Sequence, residues 1–346
     1  MKIGIITVHN GQNYGASLQA YALVKKLRNM GFDAYLVDYR TKKIEERLSS
    51  YRRKEKYNSF SNILKNLRSE CSELLFDTSE YLKLVTERFE EFHQLILDVN
   101  SGEYHACDEM RILNKEYDAF ICGSDQIWNL DCTGGAVEPF FLSFAGDKRR
   151  IAYAPSLAHT SFRPENFDKE QVANLLSHFD YISVREEETV PLFQPLTKKP
   201  IEVVLDPTLL LNAEDYSEMA SRRILEGDYI FMYLLRKCPE LIESTVAMAN
   251  TTGMKVVYIS EKNLDIPNSV NLFGVGPEEF VSLIAHANLI LTNSFHATVF
   301  SVLFHRHFRV FATDKSGARM RDLLGNIGLS DRCVDVMCAD DIAPCD

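Results

Sequence analysis

At 346 residues, 46% of them hydrophobic and 25% charged, the chain has a globular composition and the length for two domains of ordinary size. Its formal net charge of -11 argues against nucleic acid or an anionic lipid surface as the main partner, and membrane contact is expected to be peripheral at most. No apolar run reaches the roughly 18 residues that a membrane span needs. The eight cysteines are scattered without a C-x-x-C pair, which points to reduced thiols in a cytoplasmic protein rather than to disulfides or structural zinc.

The first residues, 1–8, are too short and too β-branched for a signal peptide and read as a first strand. The loop His9-Asn10-Gly11-Gln12-Asn13-Tyr14-Gly15-Ala16 follows. Ala16, Ala20, Leu23, Leu27 and Met30 then keep one helical face until Gly31. A second strand spans residues 34–39. This β-loop-α-β unit puts a glycine-bearing loop at the carboxyl end of its first strand, where open α/β sheets bind ligands. It is not a G-x-G-x-x-G, so nothing in it specifies a dinucleotide.

Residues 41–98 read as a helical insertion. One stripe is Leu64, Leu67, Cys71 and Leu74, and another is Leu82, Val85, Phe89, Phe92 and Ile96. The basic clusters Lys42-Lys43 and Arg52-Arg53-Lys54 read as a solvated face, or as a face for an anionic acceptor. Strands resume over residues 118–122, leading into Gly123-Ser124-Asp125-Gln126-Ile127-Trp128-Asn129, then over 151–154 and 181–184. The last of these delivers Arg185, followed by three glutamates and a helix start. A strand over 201–205, then Asp206-Pro207-Thr208, closes an N-terminal domain of 1–207.

A C-terminal domain, 208–346, starts afresh with a strand over 229–234, a helix near 239–251 and a strand over 255–259. Gly276-Pro277-Glu278-Glu279 opens another helix, with proline at its favoured first position and acids at the positive dipole end. The stretch 287–304 begins with the apolar run Leu289-Ile290-Leu291 and breaks at Thr292-Asn293-Ser294, residues that favour helix N-caps. It resumes at helical spacing with Phe295, Val299, Val302 and Leu303. His296 therefore falls in the first turn of a helix, where free N–H groups and the dipole favour an anion. It caps a turn there, or it serves chemistry. A strand over 308–311, a helix from about Ala318 carrying Arg319 and Arg321, and a short strand near Cys333 complete the chain.

This alternation predicts two Rossmann-like α/β domains with parallel sheets and an interdomain cleft. Polar residues gather at strand ends: Asn13, Tyr14, Ser124, Asp125, Gln126, Asn129, Arg185, Asp206, Ser294, His296 and Arg319. No H-E-x-x-H, nucleophile elbow or P-loop is present, so no metal is expected. Arginines with a helix N-terminus suit a small phosphate- or carboxylate-bearing ligand, and a histidine there could move a proton. The residues alone reach group transfer from an anionic donor.

Five stretches carry a resemblance: residues 13–23 (Asn-Tyr-Gly-Ala-Ser-Leu-Gln-Ala-Tyr-Ala-Leu), 123–129 (Gly-Ser-Asp-Gln-Ile-Trp-Asn), 183–186 (Ser-Val-Arg-Glu), 205–210 (Leu-Asp-Pro-Thr-Leu-Leu) and 292–298 (Thr-Asn-Ser-Phe-His-Ala-Thr). In that order the chain resembles the polysaccharide pyruvyl transferase family over nearly its full length. The resemblance implies a GT-B-like fold and metal-free transfer of a pyruvyl group from phosphoenolpyruvate to a glycan or lipid-linked sugar, as a ketal. It places His296 as acid/base, and Arg185 on the donor's phosphate or carboxylate. Arg319, Ser294 and Asn293 join the donor side; Asn13, Tyr14, Asp125, Gln126 and Asn129 join the acceptor side. Some members carry Arg-Leu-His where this chain has Ser294-Phe295-His296, so a donor-gripping cation is missing at 294. Arg319, Arg309 or backbone N–H groups would have to replace it, unless the donor differs. A GT-B glycosyltransferase with a nucleotide-sugar donor and a non-catalytic glycan-binding protein are the alternatives.

Overall fold

The computed structural model describes residues 1–41, 78–95, 102–135, 137–157, 168–312 and 317–334. The stripe Leu64 to Leu74, the two basic clusters, Ile96 and the chain beyond 334 lie outside them. Two compact units divide the chain: Met1–Arg53 with Phe89–Leu211, and Lys54–Arg88 with Asn212–Asp346.

The first unit is built on six parallel strands: β1 (Lys2–Ile6), β2 (Asp33–Leu36), β3 (Ala119–Cys122), β4 (Arg149–Ala152), β5 (Tyr181–Val184) and β6 (Ile201–Val203). Their order is β2-β1-β3-β4-β5-β6. Every residue of β3 is buried, as is most of β1, which is why these strands read as apolar runs rather than as an alternation. Gly4 of β1 is required by packing. A Cβ there would lie 2.7 Å from the Phe120 ring, itself edge-on to Phe144 with centroids 5.0 Å apart. Helix α1 (Tyr14–Asn29) returns the chain from β1 to β2. Helix α2 (Thr78–Leu95), divided between the two units after Arg88, buries Leu82, Val85, Phe89 and Phe92, the stripe its spacing predicts. Helix α3 (Lys169–Ser177), capped by Asp168, precedes β5 and was not foreseen in the sequence.

The second unit has strands β7 (Tyr229–Tyr233), β8 (Lys255–Tyr258), β9 (Ser269–Asn271), β10 (Leu289–Thr292), β11 (Phe308–Phe311) and β12 (Cys333–Val334). All pairings are parallel, in the order β12-β11-β10-β7-β8-β9. Counted from its own first strand this is 6-5-4-1-2-3, the Rossmann order. Helices α4 (Pro239–Thr252), α5 (Pro277–His286), α6 (Phe295–Leu303) and α7 (Gly317–Asn326) connect or follow these strands. α5 starts as its sequence predicts, with Pro277 in its first turn and the Glu279 carboxylate accepting from the Gly276 N–H at 2.8 Å. No helix among the described residues is long and apolar enough to cross a membrane.

Each sheet reverses its winding once. In the first unit the chain passes from β1 to β2 on one side, then to β3 on the other. In the second it runs β7, β8, β9, then crosses to β10. The crevices at the carboxyl ends of β1/β3 and β7/β10 are the topological switch points, where open α/β sheets receive ligands.

Candidate active site

The second switch point contains the stretch that leads to His296. All four residues of β10 are buried. At its end Thr292 Oγ1 donates to the Tyr233 carbonyl of β7 at 2.7 Å and accepts from the Ser294 N–H at 3.0 Å. Asn293 spends both ends of its amide on the loop after β7. Oδ1 accepts from the Leu235 N–H at 2.8 Å, and Nδ2 donates to the Arg236 carbonyl at 2.7 Å. Ser294 has extended backbone and caps α6, its hydroxyl accepting from the Ala297 N–H. These hydrogen bonds turn the chain sharply from a buried strand into a helix. Asn293 and Ser294, expected on the donor, form the framework of this turn.

His296 follows in the first turn of α6, half-buried, its ring edge-on to Phe295 with centroids 5.3 Å apart. The Arg319 guanidinium of α7 lies over the same Phe295 ring at 5.4 Å. α7 is held against α6 by Thr298 Oγ1 and Met320 Sδ, 3.6 Å apart. His296 and Arg319 thus flank one aromatic ring at the N-terminal end of α6, where the N–H groups and the dipole favour an anion.

Arg185 belongs to the first unit, at the carboxyl end of β5. It is buried among three carboxylates: Nη1 donates to Asp206 Oδ2 at 2.6 Å, Nε to Glu186 Oε1 at 3.0 Å, and Nη2 lies 3.7 Å from Asp125 Oδ1. Burial pushes the guanidinium down, but Glu186, Asp206 and Asp125 together raise it above its ordinary value. Asp206 also accepts from the Thr208 N–H and hydroxyl at 3.0 and 2.7 Å, and Ser156 donates to Glu186 at 2.6 Å. Arg185 therefore ties the ends of three elements together, and any incoming anion would compete with these acids.

The expected acceptor residues have local accounts. Asn13 caps α1, accepting from the Ala16 N–H at 3.2 Å. Tyr14 is buried and packs on Phe89, centroids 5.2 Å apart. Asp125 adopts a left-handed backbone, φ 66°, so that its carbonyl accepts from the Ser156 N–H. Asn129 caps the next helical turn and donates to Gln126 Oε1 at 3.1 Å and the Leu157 carbonyl at 3.0 Å. Trp128 is fully buried, stacked on Phe141 with centroids 4.6 Å apart; it is core, not lining.

At the first switch point the structure gathers residues the sequence did not single out. Gln19 of α1 donates to Thr7 Oγ1 at 2.9 Å, and Thr7 Oγ1 donates to the Ser124 carbonyl at 3.0 Å, joining helix and two strand ends. His9 is fully buried, with Nδ1 3.0 Å from the Thr7 carbonyl. A carbonyl only accepts, so Nδ1 carries the proton. His9 Nε2 lies 4.0 Å from Asp38 Oδ1, and Asp38 is paired with Arg40 and Asn10. The His93 ring stands edge-on at 6.0 Å, its Nε2 3.1 Å from Ser17 Oγ. Burial lowers both histidines, His93 to about 3, while Asp38 pulls the other way. The only sequence signal for this cluster was that His9 opens the loop after the first strand.

Two parallel sheets, each with polar side chains gathered at its switch point, define a doubly wound α/β protein, a class in which such crevices receive ligands. The chain belongs to the polysaccharide pyruvyl transferase family, whose model matches residues 13–315. A search of curated proteins by sequence found no match. Among solved structures, the UDP-GlcNAc 2-epimerase from Methanocaldococcus jannaschii is similar, with a TM-score of 0.48 and 12% identity over 96% of this chain and 88% of that one. The UDP-N-acetylglucosamine 2-epimerase from Rickettsia bellii gives 0.48 and 11% over 90% and 78%. The E. coli ADP-heptose LPS heptosyltransferase II gives 0.41 and 14% over 97% and 90%. Likenesses at this level say nothing of substrate.

Proposed function

We propose that this protein transfers a pyruvyl group from phosphoenolpyruvate to a sugar of a surface polysaccharide or its lipid-linked precursor, forming a pyruvate ketal. Family membership gives polysaccharide modification by a transferase. The observation that carries the finer reading is His296 beside Phe295 and Arg319 at the N-terminal end of α6, a proton-transfer group next to an anion-favouring helix start.

In this mechanism the donor's phosphate or carboxylate rests at the start of α6, near Arg319. His296 gives a proton to the methylene carbon of the enol phosphate, and the central carbon becomes electrophilic. A sugar hydroxyl bonds to that carbon and returns its proton to His296. The second hydroxyl then displaces phosphate, breaking the carbon–oxygen bond. Its proton leaves with the phosphate, so one donor and one diol give one ketal and one hydrogen phosphate. We assign the acceptor to the strand ends of the first unit, including Asp125, Gln126 and Asn129. Arg185 organises those ends through its carboxylate partners.

The test is incubation with phosphoenolpyruvate and candidate galactosides or lipid-linked sugars, following phosphate release and product mass. Each turnover should release one phosphate and add one ketal. Turnover of a nucleotide sugar instead would establish the glycosyltransferase alternative.

A further inference from the structure

We propose that Arg236, with Lys237 beside it, provides the cationic grip on the donor anion that Ser294 cannot. This rests on the pyruvyl-transfer reading for the identity of the donor. Arg236 and Lys237 lie just beyond the carboxyl end of β7. That strand pairs with β10 up to Tyr233 and Thr292, so the ends of the two strands flank the switch point. Both side chains are exposed, and neither makes an ion pair with a described residue. In a chain of net charge -11, two adjacent cations with no ion pair among the described residues make a local positive patch at the ligand end of a sheet, suited to an anion.

The backbone beneath them is fixed. Asn293 accepts from the Leu235 N–H at 2.8 Å and donates to the Arg236 carbonyl at 2.7 Å, clipping this loop to the turn that leads into His296. Arg236 is therefore anchored next to the proposed donor site while its side chain stays available to close on an anion. Arg309 Nη1 donates to the Phe308 carbonyl at 3.0 Å, and Arg319, the cation already placed beside the donor, lies over Phe295, so Arg236 would add a second charged contact from the β7 side. The following acid, Glu240, accepts from Cys238 Sγ at 3.4 Å and forms no ion pair with either cation. A guanidinium fork matches a phosphate or carboxylate with two parallel hydrogen bonds, whereas an ammonium acts as a point charge. That makes Arg236 the main contact and Lys237 the auxiliary one.

The experiment is calorimetric titration of the full chain with phosphoenolpyruvate, inorganic phosphate and a UDP-sugar, each separately. Arg236→Ala should raise the Kd for phosphoenolpyruvate by about tenfold or more. Arg236→Lys should recover part of the loss, Lys237→Ala should cost less, and the thermal midpoint should not move because both side chains are exposed. Wild-type affinity for phosphoenolpyruvate in Arg236→Ala overturns the proposal and leaves the pyruvyl reading standing. Arg236-dependent binding of phosphate or the UDP-sugar, without binding of phosphoenolpyruvate, keeps the anion site and removes that donor. A wild-type chain that binds none of the three overturns both.

Discussion

At the scale of single residues, His296 and Arg185 part company. Both were chosen from the sequence for the donor, yet their surroundings differ. His296 stands half-buried in the first turn of a helix, the place where the proposed mechanism puts the donor. His296→Gln should cut turnover by about 10²-fold or more with little change in thermal midpoint; near-normal turnover would remove it from the chemistry. Arg185 is buried with Asp125, Glu186 and Asp206 around it. Its loss would leave carboxylates buried without their cation, which costs about 3–5 kcal/mol. Arg185→Ala should therefore show its largest effect in urea unfolding. In the milder Arg185→Lys, donor Kd should stay within about threefold, a change well below the loss of a charged hydrogen bond. A rise of tenfold in that variant would return Arg185 to donor binding. The sequence could name both residues, because each follows a buried strand. It could not tell them apart, because the three acids that neutralise Arg185 come from three separate strand ends.

At the scale of elements, the passage from β10 into α6 was legible in advance. Four buried apolar or small residues, three cap-forming residues and a helical repeat specify strand, turn and helix in a single local stretch. Ser294 is the cap, so Ser294→Ala should lower stability by about 1 kcal/mol and Ser294→Asn should recover much of it. Equal urea midpoints for serine and alanine would show that the cap bond carries no weight. Other elements were not legible. β9 is a three-residue edge strand, Ser269–Asn271, with a single valine, and its identity comes from pairing with β8 rather than from its own pattern. The short helix Ala213–Ser217 depends on an Asn212–Asp215 capping box too brief to show a hydrophobic repeat. Asn293 looked like a donor ligand, and its two bonds to the loop after β7 appear only once the sheet has brought β7 and β10 together.

At the scale of the whole molecule, His9 and His93 tie stability to pH. Burial holds both neutral in the folded chain, His93 with a pKa of about 3 against an ordinary 6.5. Below about pH 6.5 the unfolded chain binds protons that the folded chain refuses. Stability is therefore complete above that value and declines as pH falls toward the folded pKa. Urea midpoints taken between about pH 8 and about pH 5 should drop, and His93→Gln should flatten the slope; parallel slopes would exclude His93 as the source. The sequence by itself determined the two parallel α/β sheets, because strands buried on both faces must be apolar runs and the helices between them keep their own periodicity. It also determined the family, through five short stretches in order. Only the tertiary structure decided which polar residues meet. The pairing of Arg185 with Asp125 and Asp206, the His9–His93 contact, and the position of Arg236 beside the turn into His296 all join residues far apart in the chain, and no local pattern records such distances.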